Sequence, residues 1–179
     1  MPANFPTAEQ KRYYGRFADI LTPEQLGKYF HLTDKDYQLV YSTRNDHTRL
    51  GMAAQIGAVR YLGDFLPESQ WDAVPTNAVQ YVATQLGLEP IHWQKYLGHR
   101  QTVYEHQELI RQHYAYRDFH HPKERFITIR WLFTRTWLHD ESPSRLFDLL
   151  SLRLKERKVL LPGITTLEEL INHIRDQVS

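Results

Sequence analysis

An all-α fold, with roughly nine or ten helices in two small bundles, is predicted by three features of the sequence. Apolar residues recur at helical spacing along most of the 179 residues. Cap residues and proline mark the expected helix starts, and glycine marks many of the stops. No stretch shows the polar–apolar alternation of a half-buried strand.

The elements follow in order. Thr22-Pro23-Glu24-Gln25 joins a Thr cap, Pro at the first helical position and Gln three residues after the cap. The helix it opens carries Leu26 and Phe30 on one face. Thr33 caps the next, which presents Tyr37 and Val40 and ends near Tyr41. Polar residues 42–48 lead into a third helix with Leu50, Ala53, Ala54 and Tyr61, closed by Gly63. Residues 63–75 read as a loop held down by Phe65, Leu66 and Trp71. Pro75 and Thr76 open a helix with Val79, Val82 and Leu86, which Gly87 ends, and a short helical turn follows over 90–97 before Gly98. Longer helices are expected from about 99 to 114 and from 122 to 138. Ser142-Pro143 caps another, running to about 157 with Leu146, Leu149, Leu150 and Leu154 inward. Beyond Leu160-Leu161-Pro162-Gly163, Thr165 and Glu168 read as a capping box for a last helix with Leu167, Leu170, Ile171 and Ile174.

Composition bounds the function. Apolar residues make up 41% and charged residues 24%, ordinary globular usage that supports a packed core. No apolar run is long enough to cross a bilayer and no signal pattern follows Met1, so no membrane partner is expected. There is no cysteine, hence neither disulfide nor thiolate metal site, and the expected location is cytoplasmic. The net charge is only +1, but its distribution is uneven. Residues 61–90 hold Asp64, Glu68, Asp72 and Glu89 and no Lys or Arg, which confines the basic residues to either side. This break suggests a helix-turn-helix-like bundle over residues 1–66, a connecting helical segment over 67–98 and a second bundle over 99–179.

Three basic clusters are candidate DNA contacts. In a helix-turn-helix the recognition helix enters the major groove at its N-terminal end. Here that end reads Arg44-Asn45-Asp46-His47-Thr48-Arg49. Arg can fork onto guanine, Asn can pair with adenine, and a helix start with Thr can hold a phosphate. Of these, Arg44, Asn45, His47, Thr48 and Arg49 are the candidates; polar residues also gather at helix starts simply to cap them. The second cluster, Arg100, Gln101 and Thr102 with Tyr104, continues toward Arg111, Tyr114, Tyr116 and Arg117 and suits backbone contacts with some stacking. An ordinary solvated face has the same composition. The third, Lys155, Arg157 and Lys158, sits at a helix C-terminus, where positive charge already complements the dipole.

Histidine gives no metal site. His99, His106, His113 and His120 recur every seven residues, about two helical turns or roughly 10 Å apart, too far for one ion. Partly buried, hydrogen-bonded rings are expected instead, with His120-His121 capping the helix at Pro122 or, as the alternative, contacting phosphate. No glycine-rich phosphate loop, nucleophile constellation or convergent set of acids stands out, so no catalytic residue is assigned and a free-standing enzyme is not expected.

The motifs carry a resemblance. Arg49-Leu50-Gly51 runs into an apolar helix, followed by Arg60-Tyr61-Leu62-Gly63 and Phe65-Leu66-Pro67. Val74-Pro75, then Tyr81-Val-Ala-Thr-Gln-Leu-Gly87, and later Glu156-Arg-Lys-Val-Leu-Leu-Pro-Gly-Ile-Thr-Thr-Leu-Glu168, come in order over about residues 20–175. Together these blocks resemble the N-terminal region of Tn-three family transposases. The resemblance implies a helical region that binds the terminal inverted repeats of a transposon, with double-stranded DNA as its partner and a homodimer in the full-length protein. It implies that the acidic triad and Mg²⁺ belong to a distant C-terminal domain, so this chain needs no cofactor of its own. The alternative is a protein-interaction or dimerisation module of the transposase assembly, which the near-neutral charge and the 4 Trp, 11 Tyr and 8 Phe also suit.

Overall fold

The computed structural model describes residues 5–179, and among them every regular element is helical. Helix α1 (Ala8–Tyr13) precedes the first helix expected from the sequence. Thr7 starts it: its hydroxyl accepts from the Gln10 N–H, and the Gln10 side chain accepts from the Thr7 N–H, both at 3.0 Å. Six residues with none fully buried are too few for an apolar period to register, but that capping pair stands in the sequence. Then come α2 (Pro23–Gln25), continued as a π-helical turn Leu26–Phe30, α3 (Asp34–Val40) and α4 (Asp46–Leu62). A 3-10 turn, Glu68–Ala73, occupies the expected loop, followed by α5 (Thr76–Leu86), α6 (His92–Leu97) and α7 (Arg100–His113). The chain ends with α8 (Pro122–Leu138), α9 (Pro143–Glu156) and α10 (Ile164–Val178).

Most expected caps are in place: Thr22, Thr33 and Ser142 accept from the first-turn amides, and Gly63 and Gly87 close α4 and α5 at φ of 77° and 65°. Only glycine takes that left-handed conformation without strain. One cap differs. Gly163 is extended and precedes α10, so Thr165 lies inside the helix and Glu168 falls beyond its first turn.

Contacts divide the chain at other places than residues 66 and 98. One compact unit is Phe17–Ala115; the other combines the stretch ending at Arg16 with Tyr116–Ser179. The segment 67–98 is no connector, because Trp71, Val79, Val82, Trp93 and Tyr96 are buried and α5 and α6 both pack on α4. Its acidic composition describes the solvent side of helices whose other side is core.

In the Phe17–Ala115 unit, α4 is the axis, packed by α3, α5, α6, α7 and the π-helical turn. All ten residues from 50 to 59 are buried. Two glycines admit neighbouring rings: a Cβ on Gly51 would lie 2.3 Å from Tyr96 ring carbons, and one on Gly57 would lie 2.2 Å from the Phe30 ring. A recognition helix lies in the major groove with its N-terminal residues on the base edges. Here α4 is enclosed over residues 50–59, and its N-terminal turn is the part left open.

Two buried polar ties lock the unit. Asp36 is fully buried and takes a two-pronged pair from Arg60 at 2.7 and 2.6 Å, the Tyr114 hydroxyl and the Thr33 N–H. That joins α3, α4 and the end of α7. Gln55 donates to the Tyr96 hydroxyl at 2.6 Å and to the Val103 carbonyl at 3.1 Å, and Tyr96 meets His106 Nδ1 at 2.9 Å. Since Gln55 donates to the Tyr96 oxygen, the Tyr96 O–H is free to donate to Nδ1, which places the imidazole proton on Nε2. Burial pushes Tyr96 up and holds His106 down at about 4.

His106 gives the unit an acid limit. A depressed histidine leaves the folded state binding fewer protons than the unfolded chain, so stability falls as pH drops from 6.5 to about 4. The full drop is roughly 3 kcal/mol. Urea midpoints measured across that range should decline, and His106→Phe should flatten the decline even though it lowers stability at neutral pH. An equal decline in the variant would remove His106 as the cause.

The other unit packs α10 against α8 and α9 around Leu132, Leu150, Leu154, Leu167 and Ile171. α1 is fastened to it by the Gln10 amide, which donates to the Ser144 carbonyl and an Asp148 oxygen, both at 2.9 Å. Here too a buried carboxylate is doubly held: Glu124 accepts from Arg117 at 2.8 Å and Arg157 at 3.2 Å. Among the described residues, no helix is long and apolar enough to cross a membrane.

Candidate nucleic-acid interface

The open end of α4 carries the first cluster. Arg44 and Asn45 are exposed, and Arg44 has no ion pair or hydrogen bond among the described residues. The Thr48 hydroxyl is used locally, accepting from the Asn45 N–H at 3.1 Å and donating to the Asn45 carbonyl at 2.8 Å. Arg49 is half-buried, its Nε donating to the Thr43 carbonyl at 3.3 Å and its guanidinium 5.1 Å from the Tyr41 ring centre. Thr48 and Arg49 therefore shape the turn, while Arg44 and Asn45 reach into solvent.

Beside this turn lies a cleft of about 410 Å³ lined by Arg44, Asn45, Asp46, His47, His92 and Lys95. His47 is half-buried and stacks on His99, ring centres 5.1 Å apart. Burial holds His47 below its ordinary value, and the charges of Lys95, His99 and His92 add to this, with Asp46 opposing. His92 and Lys95, on α6, stand more than forty residues along the chain from His47. Only the packing of α6 on α4 brings them here, so no local motif marks them. Among the described residues, no group of three or more His, Asp or Glu side chains is placed to hold one metal ion. Of the seven-residue histidine series, His106 is buried and bonded as expected, whereas His99 and His120 are exposed.

The second cluster meets an acid. Arg100 pairs with Glu68 at 2.6 Å and the Tyr104 hydroxyl donates to the same carboxylate at 2.8 Å. Gln101 donates to Glu105, and Thr102 is half-buried. Toward the C-terminus of α7, Arg111 pairs with Glu108, and Tyr114 is buried on Asp36. Arg117 and Tyr116 belong to the other unit, so the row does not continue along one helix.

In the third cluster, Arg157 is bound to Glu124. Lys158 is exposed at a left-handed turn (φ 57°), and Lys155 lines a cleft of about 440 Å³ that also holds Glu9 and Asp148. Of the three, Arg157 has its charge engaged by a buried carboxylate.

Comparison with known proteins fixes the family. Residues 5–174 match the family model described as Domain of unknown function (DUF4158). The chain is 38% identical over 180 residues to the transposase for transposon gamma-delta of Escherichia coli (strain K12), covering all of this chain and 18% of that protein. It is 28% identical over 169 residues to the transposase for transposon Tn1546 of Enterococcus faecium, covering 87% and 17%. It is 32% identical over 88 residues to the transposase for transposon Tn501 of Pseudomonas aeruginosa, covering 49% and 9%. The chain thus spans less than a fifth of the length of these relatives. It belongs to the DUF4158 family, and its homologues are transposases of the Tn-three family.

Proposed function

We propose that this chain is a DNA-binding region that recognises the terminal inverted repeats of a transposon, and that the open first turn of α4 meets the duplex end-on. The observation that carries this is the contrast within one helix. Residues 50–59 are enclosed, yet the turn before them keeps Arg44 and Asn45 in solvent beside a cleft with two permanent cations and one carboxylate. Arg44 and Asn45 are assigned to base edges, and His47, Thr48 and Arg49 to holding the turn against the phosphates. Arg100, Gln101, Thr102 and Tyr104, and in the other unit Lys155, Arg157 and Lys158, are assigned backbone contacts. These rank second, since Glu68 and Glu124 already engage Arg100 and Arg157. Strand cutting and joining with Mg²⁺, a homodimer and a cytoplasmic site of action are assigned to the longer protein of which the transposase relatives are examples.

A protein-contact role has its own observation. On α8, Phe126, Phe133 and Trp137 are 64%, 42% and 68% exposed on one helical face, beside Leu138 at 66%. A tight dimer by light scattering, with no DNA affinity, would favour that reading. The DNA reading is tested by titrating the chain with the inverted repeat flanking its own gene and with a scrambled duplex. Tighter binding to the repeat, falling steeply as salt rises, is expected. Equal affinity for both duplexes would remove the specificity.

A further inference from the structure

We propose that the cleft between the first turn of α4 and α6 is a phosphodiester site whose imidazoles take up protons from solvent when a DNA phosphate enters. This rests on the reading of that turn as a DNA contact and adds His92, Lys95 and His99 to it. The geometry comes first: Arg44 and His47 from one side and His92 and Lys95 from the other line a single cleft, with His99 stacked on His47. Arg44 and Lys95 against the one carboxylate, Asp46, leave one net positive charge when the three imidazoles are neutral. Protonating all three raises it to four. Burial holds His47 down, the charges of Lys95, His99 and His92 add to this, and the single carboxylate, Asp46, opposes them only in part. A phosphate supplies the missing negative charge, reverses the repulsion and favours imidazolium. Each imidazole that gains a proton also becomes a donor at both nitrogens.

The groups around His47 are His92 and Lys95 on α6, His99 ahead of α7, Asp46 on its own helix and Arg44 on the same cleft, with His106 on α7, itself acted on by Glu105, also coupled to His47. His106 is buried and does not line the cleft. Held down at about 4, it stays neutral above pH 6, so that range isolates the open rings.

Linkage sets the sign: protons taken up on binding make affinity rise as pH falls. The test measures affinity for the terminal-repeat duplex and for a scrambled duplex between pH 8 and pH 6 at constant ionic strength. Binding should tighten about tenfold over that range, the equivalent of one pKa unit of linkage. Because the site reads backbone, the scrambled duplex should show the same dependence. The triple variant His47→Gln, His92→Gln, His99→Gln should lose this dependence, and Lys95→Ala should weaken binding at every pH. His173→Gln, on α10 in the other unit and outside the cleft lining, should keep the parent's dependence of binding on pH. Thermal melts of each variant over the same pH values establish that it is folded. Retained DNA binding with no pH dependence, or a triple variant that keeps the tenfold rise, overturns the proton-linked site and leaves the DNA reading standing. No DNA binding at any pH overturns both.

Discussion

Replacing Asp36 with alanine is expected to cost the Phe17–Ala115 unit about 3–5 kcal/mol, the range for breaking a buried pair by removing one member. The carboxylate has no solvent contact, and it gathers donors from Arg60, Tyr114 and Thr33 on three different parts of the unit. Alanine would leave the Arg60 guanidinium, itself only 25% exposed, against a void and the Tyr114 ring. Burial pushes the Asp36 carboxyl up, but the hydrogen bonds from Arg60, Tyr114 and Thr33 together outweigh it and hold the group below its ordinary value. A depressed carboxyl contributes stability at neutral pH and loses it as pH falls below the ordinary carboxylate range. Asp36→Asn, which keeps the shape without the charge, should therefore be destabilised at pH 7 and lose less on acidification than the parent. Urea unfolding followed by the fluorescence of buried Trp71 and Trp93 reads both effects. A loss below about 1 kcal/mol for Asp36→Ala, the scale of an exposed ion pair, would show that the network does not hold the three elements together.

Gly51→Ala is the second large effect. In a free helix this change would help by about 1 kcal/mol, the propensity difference between the two residues. Here the new methyl would fall 2.3 Å from the Tyr96 ring, a clash that has to be relieved by movement. The ring cannot swing aside cheaply, because it is fully buried and its hydroxyl is tied to Gln55 and His106. Overpacking of this kind costs about 1–3 kcal/mol and occasionally more, so the clash should outweigh the propensity gain. Tyr96 also directly follows Lys95, a wall of the proposed phosphate site, along α6. Weakened DNA binding should therefore accompany the lower melting temperature. An unchanged or higher melting temperature would mean that α4 and α6 are not packed this closely.

Much of the fold is legible in the sequence. Apart from the Thr165–Glu168 pair, the capped helix starts and the glycine stops fall where the residues place them, because caps depend on local hydrogen bonds. The enclosure of α4 also has a sign: from Leu50 to Val59 there is no charged residue, the mark of a helix buried on all sides rather than on one. Unit boundaries are a different matter. The acidic middle of the chain reports surface charge, while Trp71, Trp93 and Tyr96 in the same stretch report burial, and burial decides which helices stay together. For the candidate site, the α4 turn is local and readable. Its other wall is not, because His92 and Lys95 reach it through tertiary packing alone, and the engagement of Arg100 by Glu68 is equally nonlocal.

Backbone amide shifts of the isotopically labelled chain, recorded while the terminal-repeat duplex is added, address the docking claim itself. The largest changes should gather on residues 44–49 and on the nearby stretch 92–99, with the enclosed residues 50–59 little affected. Changes confined to α8, or none at all despite saturating DNA, would place the duplex elsewhere and contradict an end-on approach by α4.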